Sequence, residues 1–342
     1  MLMHVAGGVG EHGRNCFAVL GKNVHFLVDC GIMHGEVPKL TRDEISILDF
    51  VLLTHSHGDH TGALGWLAQQ GYKGPVIASK KTLEQLDALD NSIALEDVCP
   101  KGHGMFHDVD IHWGRSGHCE GSVHYLVEAE GKKICFSGDY CEDSMIYACD
   151  PIRDVQADLA ILDCAYGNKH HDAMKTQKKL VKLVQGWYEK GETALFPVPK
   201  YGRGMDLIRI MEEAGIPVYA DKIQRHDIKE ADAFWCKALP AYVPEKSKSF
   251  SDHGVLFLSD PQMKKEKTQL YAKTVKHVML TGTPEEGGIA YGMWKDKKAE
   301  LIFWPVHQDM NGYRKLCSLN HFAKAVPYHS RSLKIENDMI EF

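Results

Sequence analysis

The 342-residue sequence predicts an α/β protein built as a sheet sandwich with outer helices, into which a second α/β unit is inserted. Short apolar or alternating stretches separated by turn residues dominate the first 165 positions. From position 173 onward, helical and strand patterns alternate, as they do around a parallel sheet. No Gly/Ser-rich or Pro-rich linker separates the parts, so one is expected to interrupt the other. The expected domain boundaries are 1–172, 173–303 and 304–342.

The first part is rich in predicted strands. Residues 15–20 and 24–29 form a predicted hairpin around Gly21-Lys22, and a strand is expected at 47–53. Short helices are expected at 62–71 and 82–89, with a strand at 75–78 between them. Further strands are expected at 106–112, 121–128, 133–137 and 159–164. The last of these is an apolar run, which favours burial.

The second part alternates between helix and strand. A long amphipathic helix at 173–190 precedes a strand at 193–198, a helix at 204–214 and a strand at 216–220. Residues 221–254 are polar and show no clear pattern. Strands return at 255–259, 277–281 and 300–303. This order is typical of strands that lie parallel in one sheet.

Composition and charge limit the class of protein. Apolar residues make up 44% and charged residues 25%, as in soluble globular proteins. The net charge is −6, but residues 173–303 carry 22 Lys and Arg against 17 Asp and Glu, whereas the remainder carries 18 against 29. A mildly basic insert beside an acidic metal-binding part suits a phosphodiester substrate, although an excess of this size also arises by chance.

The sequence also indicates a cytoplasmic location. No apolar run approaches the about 18 residues that a membrane span requires, and the first residues lack the pattern of a signal peptide. The ten cysteines are scattered and form no C-x-x-C pair. We therefore expect reduced thiols and no contact with a membrane.

Four potential metal ligands occur within six positions after the strand predicted at 47–53. They are His55, His57, Asp59 and His60. A helix cannot direct all four side chains to one place, whereas a turn that leaves a strand can. Imidazole nitrogen and carboxylate oxygen are ligands that zinc and related divalent metals favour. The turn therefore predicts a catalytic metal site that is completed by ligands from elsewhere.

The spacing H-x-H-x-D-H resembles that of the metallo-β-lactamase-fold hydrolases. The resemblance implies an αββα sandwich in which the first two histidines bind one metal ion and the Asp-His pair binds a second. Downstream segments at 158–167, 194–207, 216–221 and 278–283 resemble the β-CASP nucleases of that family, and the glycine-rich start at 7–15 is similar to that of RNase J-like enzymes. The expected fold is therefore a metallo-β-lactamase sandwich with an inserted β-CASP-like α/β domain.

The resemblance also supplies the remaining metal ligands. The Gly-His turn before a strand makes His118 the third histidine, with His112 and His124 as nearby competitors. Asp139, after an apolar strand that ends in Gly, is the carboxylate expected to bridge both metals. His329, at the end of a strand, would complete the second metal, although Ser330 follows it where the family has Gly.

Four further residues receive roles from the same resemblance. Asp29 and Asp163 are expected to support the site as neighbouring carboxylates. His307 takes the place of the histidine that protonates the leaving group, with His321 as its nearest rival. The residue before it is Val306, where the family has Gly or Ala. Arg203, at a predicted helix start, either pairs with a substrate phosphate or lies solvated at the surface.

These residues imply a metal-dependent phosphodiesterase, a ribonuclease that cleaves single-stranded RNA with a metal-activated hydroxide. The expected cofactors are two divalent metal ions, Zn²⁺ in the first place and Mn²⁺ as the alternative. Asp59 would orient the hydroxide and take up its proton, and His307 would protonate the leaving oxygen. A histidine at the position of His329 is associated within the family with RNA cleavage.

Other functions stay open at this point. The same fold could hydrolyse DNA or a small-molecule ester, and a related chain could serve as a scaffold without catalysis. The insert argues against a small substrate, and the filled ligand positions argue against a scaffold. The preference for RNA over DNA, the endo or exo mode and the choice of metal are not determined. Dimerisation is also open, because the chain ends soon after position 329 and so lacks the C-terminal extension through which RNase J-like enzymes assemble.

Overall fold

The computed structural model describes residues 1–241, 243–244 and 253–342. In chain order its strands are β1 (Leu2–Gly7), β2 (Cys16–Leu20), β3 (His25–Val28), β4 (Phe50–Leu52), β5 (Val76–Ala78), β6 (Ser92–Ala94), β7 (His103–Phe106), β8 (Val109–Arg115), β9 (Val123–Ala129), β10 (Lys132–Phe136), β11 (Gln156–Asp163), β12 (Thr193–Val198), β13 (Val218–Ala220), β14 (Gly254–Ser259), β15 (His277–Leu280), β16 (Glu300–Leu301), β17 (His321–Tyr328) and β18 (Met339–Glu341).

The α-helices are α1 (Arg42–Ile47), α2 (Gly58–Thr61), α3 (Leu64–Gln69), α4 (Lys80–Gln85), α5 (Leu95–Val98), α6 (Ala173–Tyr188), α7 (Gly204–Glu213), α8 (Lys222–Lys229), α9 (Glu266–Thr274), α10 (Ile289–Lys295) and α11 (Met310–Ser318), with a 3₁₀ turn at Pro100–Gly102. No helix among the described residues is both long and apolar enough to cross a membrane.

The described chain forms two compact units. The first comprises residues 1–142, 149–170 and 307–342, and the second comprises residues 143–148 and 171–306. The second unit therefore interrupts the first in sequence. Its long part begins and ends within three residues of the boundaries expected at 173 and 303, and the short segment 143–148 was not foreseen.

The first unit contains two mixed sheets that pack face to face. Their strand orders are β18-β1-β2-β3-β4-β5-β6 and β17-β11-β10-β9-β8-β7. The ring of Phe17 on β2 lies 6.2 Å from that of Phe136 on β10 and 5.2 Å, edge to face, from that of Tyr328 on β17. The hydroxyl of the buried Tyr125 on β9 donates to the carbonyl oxygen of Leu53 after β4. Burial of these aromatic rings between the sheets confirms the predicted sandwich.

Helices cover the outer faces of both sheets. Buried apolar residues of α1 and α3 pack with those of β3 and β4, among them Ile45, Leu67 and Val51. On the other sheet, Leu316 of α11 packs with Ala160 of β11. The result is the αββα layering expected from the sequence.

Parallel pairing determines where the site forms. The strands β3, β4 and β5 run parallel in the first sheet, and β10, β11 and β17 run parallel in the second. Residues at or just beyond the carboxyl ends of such strands meet at one end of their sheet. These positions include Asp29 after β3, residues 54–60 after β4, Asp139 after β10, Asp163 at the end of β11 and His329 after β17.

The second unit is built on a five-stranded sheet of order β13-β14-β12-β15-β16, in which every paired strand is parallel. Residues of α6 and α7, including Val184 and Ile208, pack with Phe196 and Phe257. Side chains on the opposite face of this sheet, such as that of Leu195, pack in a separate apolar cluster. The alternation of strand and helix predicted from the sequence is therefore present.

Three predicted elements were wrong in detail. Ile47, expected to begin a strand, is instead the last residue of α1, a helix that starts at a reciprocal capping box between Thr41 and Glu44. The strand expected at 106–112 is two strands, separated by a turn in which His107 and Asp108 have positive φ values of 46° and 59°. The segment 221–254 contains α8, capped by Asp221; residues 242 and 245–252 of that segment lie outside the described residues.

A buried carboxylate holds the segment 143–148 within the second unit. Oδ1 of Asp206 accepts hydrogen bonds from the hydroxyl of Ser144 and from the backbone N–H groups of Met145 and Ile146 at 2.9–3.0 Å. Its Oδ2 accepts a hydrogen bond from the indole of Trp304 at 3.3 Å. Burial raises the pKa of Asp206, and these hydrogen bonds oppose that rise.

Replacing Asp206 with Ala should lower the free energy of unfolding by at least about 2 kcal/mol, because several buried donors lose their acceptor at once. Urea denaturation followed by circular dichroism measures the change. Asp87→Ala, at an exposed position of the first unit, is the control and should leave stability nearly unchanged. Equal midpoints for the two variants would show that Asp206 does not stabilise the unit.

Candidate metal centre

The first group of candidate ligands surrounds one oxygen of Asp139. Nε2 of His55 and Nε2 of His118 each lie 3.5 Å from Oδ2 of Asp139. Nδ1 of His57 lies 3.1 Å from Nε2 of His118. One ligand atom from each of these four residues falls within 4.8 Å of all the others. Three imidazoles and a carboxylate in this arrangement can hold a divalent metal ion.

The second group surrounds the other oxygen of Asp139. Oδ1 lies 3.2 Å from Nε2 of His60 and 3.0 Å from Nδ1 of His329. Nε2 of His329 lies 2.9 Å from Oδ2 of Asp59. Asp59, His60 and His329 also place one ligand atom each within 4.8 Å of the others. The two oxygens of Asp139 thus face two different sets of imidazoles, which suits a carboxylate that bridges two ions.

Asp29 fixes the orientation of His60. It has a positive φ of 61°, and its Oδ2 accepts a 2.7 Å hydrogen bond from Nδ1 of His60. The backbone N–H and the hydroxyl of Thr54 donate to the same carboxylate at 2.8 Å. With Nδ1 protonated and bound to Asp29, Nε2 of His60 faces the site as an acceptor. A neighbouring carboxylate commonly controls a ligand histidine in this way.

Replacing Asp29 with Asn should weaken metal binding by about 10–100-fold, because the amide no longer enforces this tautomer of the His60 ring. Competition with a chelator of known affinity measures the change. Asp49→Asn is a suitable control, since that carboxylate accepts a backbone hydrogen bond from His25 and belongs to neither group of candidate ligands. Unchanged metal affinity in the Asp29 variant would exclude the positioning role.

His307 lies beside the first group, close to the carboxylate of Asp163. Nδ1 of His307 is 3.3 Å from Oδ2 of Asp163 and 3.5 Å from Oδ2 of Asp139. The ring of Tyr166 meets the ring of His307 edge to face at 5.4 Å. The oxygens of Asp163 also accept the backbone N–H groups of Tyr140, Ala165 and Gln308. Asp163 is therefore a fixed carboxylate beside the imidazole, whose Nδ1 has no hydrogen-bond partner among the described residues.

His329 is held in an unusual backbone conformation. Its φ is 75°, a region that non-glycine residues seldom occupy. Its N–H donates to the carbonyl oxygen of Gly8, its own carbonyl accepts from Nδ1 of His12 at 2.9 Å, and the two imidazoles stack at 4.7 Å. Asn15 Nδ2 likewise contacts Nε2 of His60 at 2.8 Å. Sequence reasoning noted the glycine-rich start but assigned neither His12 nor Asn15 to the site.

Burial and mutual charge set the protonation of the site. Burial opposes ionisation of Asp139, but His329, His60 and His307 hold its pKa well below the usual range. Burial also opposes charge on His329, yet Asp139 and Asp59 raise its pKa to about 10. Burial and the neighbouring His60 hold the pKa of His55 well below its ordinary value. An ionised carboxylate and a neutral imidazole are the forms that bind a metal, and the field of the carboxylates favours a cation.

The donor set fits divalent metal ions. Nε2 of His55 is fully buried and has no hydrogen-bond partner among the described residues. A buried polar atom without a partner is costly, and a bound ion would satisfy it. His55, His60 and Asp139 are each no more than 1% exposed. The site therefore has the donors, the burial and an unmet electron pair that suit a metal centre.

The competing histidines lie elsewhere. The side chain of His112 is half exposed on β8, and Nε2 of His124 contacts the carbonyl oxygen of Asp150. His321 is exposed at the start of β17. Arg203 belongs to the second unit, where it precedes α7, donates to the carbonyl oxygen of Thr281 and packs over Gly282. Its role toward a phosphate stays a prediction.

Comparison with known proteins shows which proteins this chain is similar to. A family model described as the metallo-beta-lactamase superfamily matches residues 9–186. The transcription termination factor FttA of Methanothermobacter thermautotrophicus is 28% identical over 264 residues, which cover 63% of this chain and 41% of that protein. Ribonuclease TTHA0252 of Thermus thermophilus is 25% identical over 244 residues, covering 63% of this chain and 57% of that protein.

Two further matches extend this comparison. The endoribonuclease YSH1 of Candida albicans is 23% identical over 275 residues, covering 68% of this chain and 31% of that protein. The chain thus spans between about a third and three-fifths of the length of these relatives. A crystal structure of a protein of unknown function from Enterococcus faecalis V583 covers 99% of both chains with a TM-score of 0.64 at 11% identity. That likeness concerns the fold alone.

Proposed function

Because the chain belongs to the metallo-β-lactamase superfamily, we propose that it is a binuclear, metal-dependent ribonuclease of the β-CASP type that cleaves single-stranded RNA. The observation that carries the proposal is Asp139, whose two oxygens face two separate sets of imidazoles. The names of two relatives, a ribonuclease and an endoribonuclease, support RNA as the substrate.

Two sets of residues would hold the ions, which we propose to be Zn²⁺, with Mn²⁺ as the alternative. The first ion would be bound by His55, His57, His118 and Asp139, and the second by Asp59, His60, Asp139 and His329. When bound, the ions would lower the pKa of a coordinated water toward about 7 and offset negative charge on the phosphate.

The protein side chains around these ions divide the proton transfers between them. The carboxylate of Asp59 is 28% exposed, more open than the other carboxylates of the site, and its Oδ2 is anchored by His329. It would orient the attacking water and accept its proton. His307, which is 13% exposed and has its Nδ1 3.3 Å from Asp163, would donate a proton to the leaving oxygen. An acid and a base on different elements allow both transfers in one step.

Charge and cysteine usage bear on the substrate and the compartment. The excess of Lys and Arg in residues 173–303 favours contact with an RNA backbone, to which Arg203 would contribute a phosphate contact. The ten cysteines are present as thiols, outside any disulfide. We propose that the enzyme works in the cytoplasm, where thiols stay reduced.

The experiment that tests this function is cleavage of end-labelled single-stranded RNA and of DNA of the same sequence, with zinc or manganese. Asp59→Ala is the variant expected to be inactive, and Asp87→Ala is the matched control at an exposed carboxylate. We expect cleavage of RNA that is lost only with the first variant, and the fragment ladder gives the endo or exo mode. Metal-loaded protein that cuts neither polymer but hydrolyses a small ester would contradict the ribonuclease assignment.

A further inference from the structure

A separate group of metal-binding side chains lies on the outer face of the β7–β8 hairpin in the first unit. His103 on β7 and His112 on β8 are direct cross-strand partners. Their imidazoles stack with ring centroids 4.1 Å apart and an interplanar angle of 17°. Asp110 precedes His112 by two residues and therefore points to the same face of the sheet. None of the three belongs to the candidate metal centre.

The three side chains converge on one point. Nε2 of His103 lies 2.7 Å from Oδ1 of Asp110, and Nε2 of His112 lies 3.5 Å from the same oxygen. One donor atom of each residue falls within 4.8 Å of the other two. Bonds of about 2.0–2.2 Å in a tetrahedral zinc site place neighbouring donors about 3.3–3.6 Å apart. Small side-chain rotations would bring these donors to that spacing.

A plain hydrogen bond does not account for the whole arrangement. The contact between His103 and Asp110 uses one imidazole, whereas the second imidazole also turns its Nε2 to the same oxygen. Two neutral rings that each donate an Nε2–H group to this oxygen are the alternative arrangement, which binds no cation. Glu128, the cross-strand neighbour of Asp110 on β9, lies nearby and is itself paired with Lys133 at 3.4 Å. A cation between the two neutral rings would satisfy both nitrogens and the carboxylate.

We propose that His103, Asp110 and His112 bind one divalent transition-metal ion such as Zn²⁺, with water in the remaining positions. Two imidazoles and a carboxylate are donors that this class of ion prefers over Mg²⁺ or Ca²⁺. The strand β7 ends the order of its sheet among the described residues, so its outer edge has no partner strand. The ion would tie this edge strand to β8 and is independent of the ribonuclease activity proposed above.

The test is calorimetric titration of Zn²⁺ into protein whose candidate metal centre has first been loaded with metal. Dialysis removes the unbound metal before the titration. His112→Gln and Asp110→Asn each remove one ligand. The matched control is His321→Gln, which changes an exposed histidine on the opposite edge strand β17. Circular dichroism and RNA cleavage are followed for all four proteins, since none of the changed residues lies in the candidate metal centre.

Wild type and the His321 variant should bind one Zn²⁺ more per chain than the two ligand variants. In the ligand variants the zinc affinity of this site should fall by about 100-fold or more, since losing a residue that only hydrogen-bonds to a ligand already lowers metal affinity by about 10–100-fold. Zinc should also raise the melting temperature of wild type more than that of His112→Gln. Equal zinc stoichiometry and affinity in all four folded proteins would show that the cluster is only hydrogen-bonded, and would overturn the proposal.

Discussion

Replacing Asp139 with Asn is expected to abolish RNA cleavage, with a loss of about 10³-fold or more, and to release both metal ions. Its Oδ2 faces His55 and His118, and its Oδ1 faces His60 and His329. An amide carries no charge and turns an N–H group toward one of the two sets. Both ions would therefore lose a ligand from a single substitution.

The same variant should be less stable before metal is added. His329 owes its raised pKa to Asp139 and Asp59, so removing one carboxylate leaves a buried imidazolium short of compensation. Metal content by mass spectrometry and cleavage rate are measured together on folded protein, with Asp87→Asn as the exposed control. Retention of both ions and of activity in the Asp139 variant would show that this carboxylate does not bridge the two groups.

Replacing His307 with Ala is expected to lower the rate of RNA cleavage by about 10²–10⁴-fold while both metal ions stay bound. The imidazole lies beside the carboxylate of Asp163 and the ring of Tyr166 and is partly open to solvent, an arrangement suited to a proton donor. His307 also lies in a cluster with Asp139, Asp163 and His329 that could itself hold an ion. Metal content therefore decides between an acid and a ligand.

A substrate with a good leaving group separates these roles further. Nitrophenolate leaves from a nitrophenyl phosphodiester without protonation. The His307→Ala variant should therefore cleave such a substrate at nearly the wild-type rate if His307 is the general acid. His321→Ala, the sequence rival at the start of β17, should behave as wild type on both substrates. Loss of one metal ion in the His307 variant, or an equal loss of rate on both substrates, would contradict the assignment.

The part of the site that is local in sequence could be predicted from the residues themselves. Histidines 55, 57 and 60 and Asp59 follow one strand, and a turn after a strand brings them together without any knowledge of distant contacts. The partners at 118, 139, 307 and 329 came from their position in family motifs. The structure groups the first two and the last with residues of the turn, and it groups His307 with Asp139 and His329. Their approach depends on which strands are parallel neighbours, which spacing alone does not encode.

The parts that escaped prediction depend on long-range contacts or on backbone conformation. His12 meets His329 across 317 residues, and no periodic pattern records such a pair. The positive φ values at Asp29 and His329 occur at residues that give no glycine signal. The helix α1 was also missed, although Thr41 and Glu44 form a capping box that is visible in the sequence.

The central claim, that Asp139 joins two metal ions, is tested most directly by anomalous diffraction at the zinc edge from crystals of the metal-loaded protein. Two strong peaks should flank the Asp139 carboxylate, one among His55, His57 and His118 and the other beside His60 and His329. A single peak at this carboxylate, or two peaks that leave one of its oxygens uncoordinated, would contradict the account.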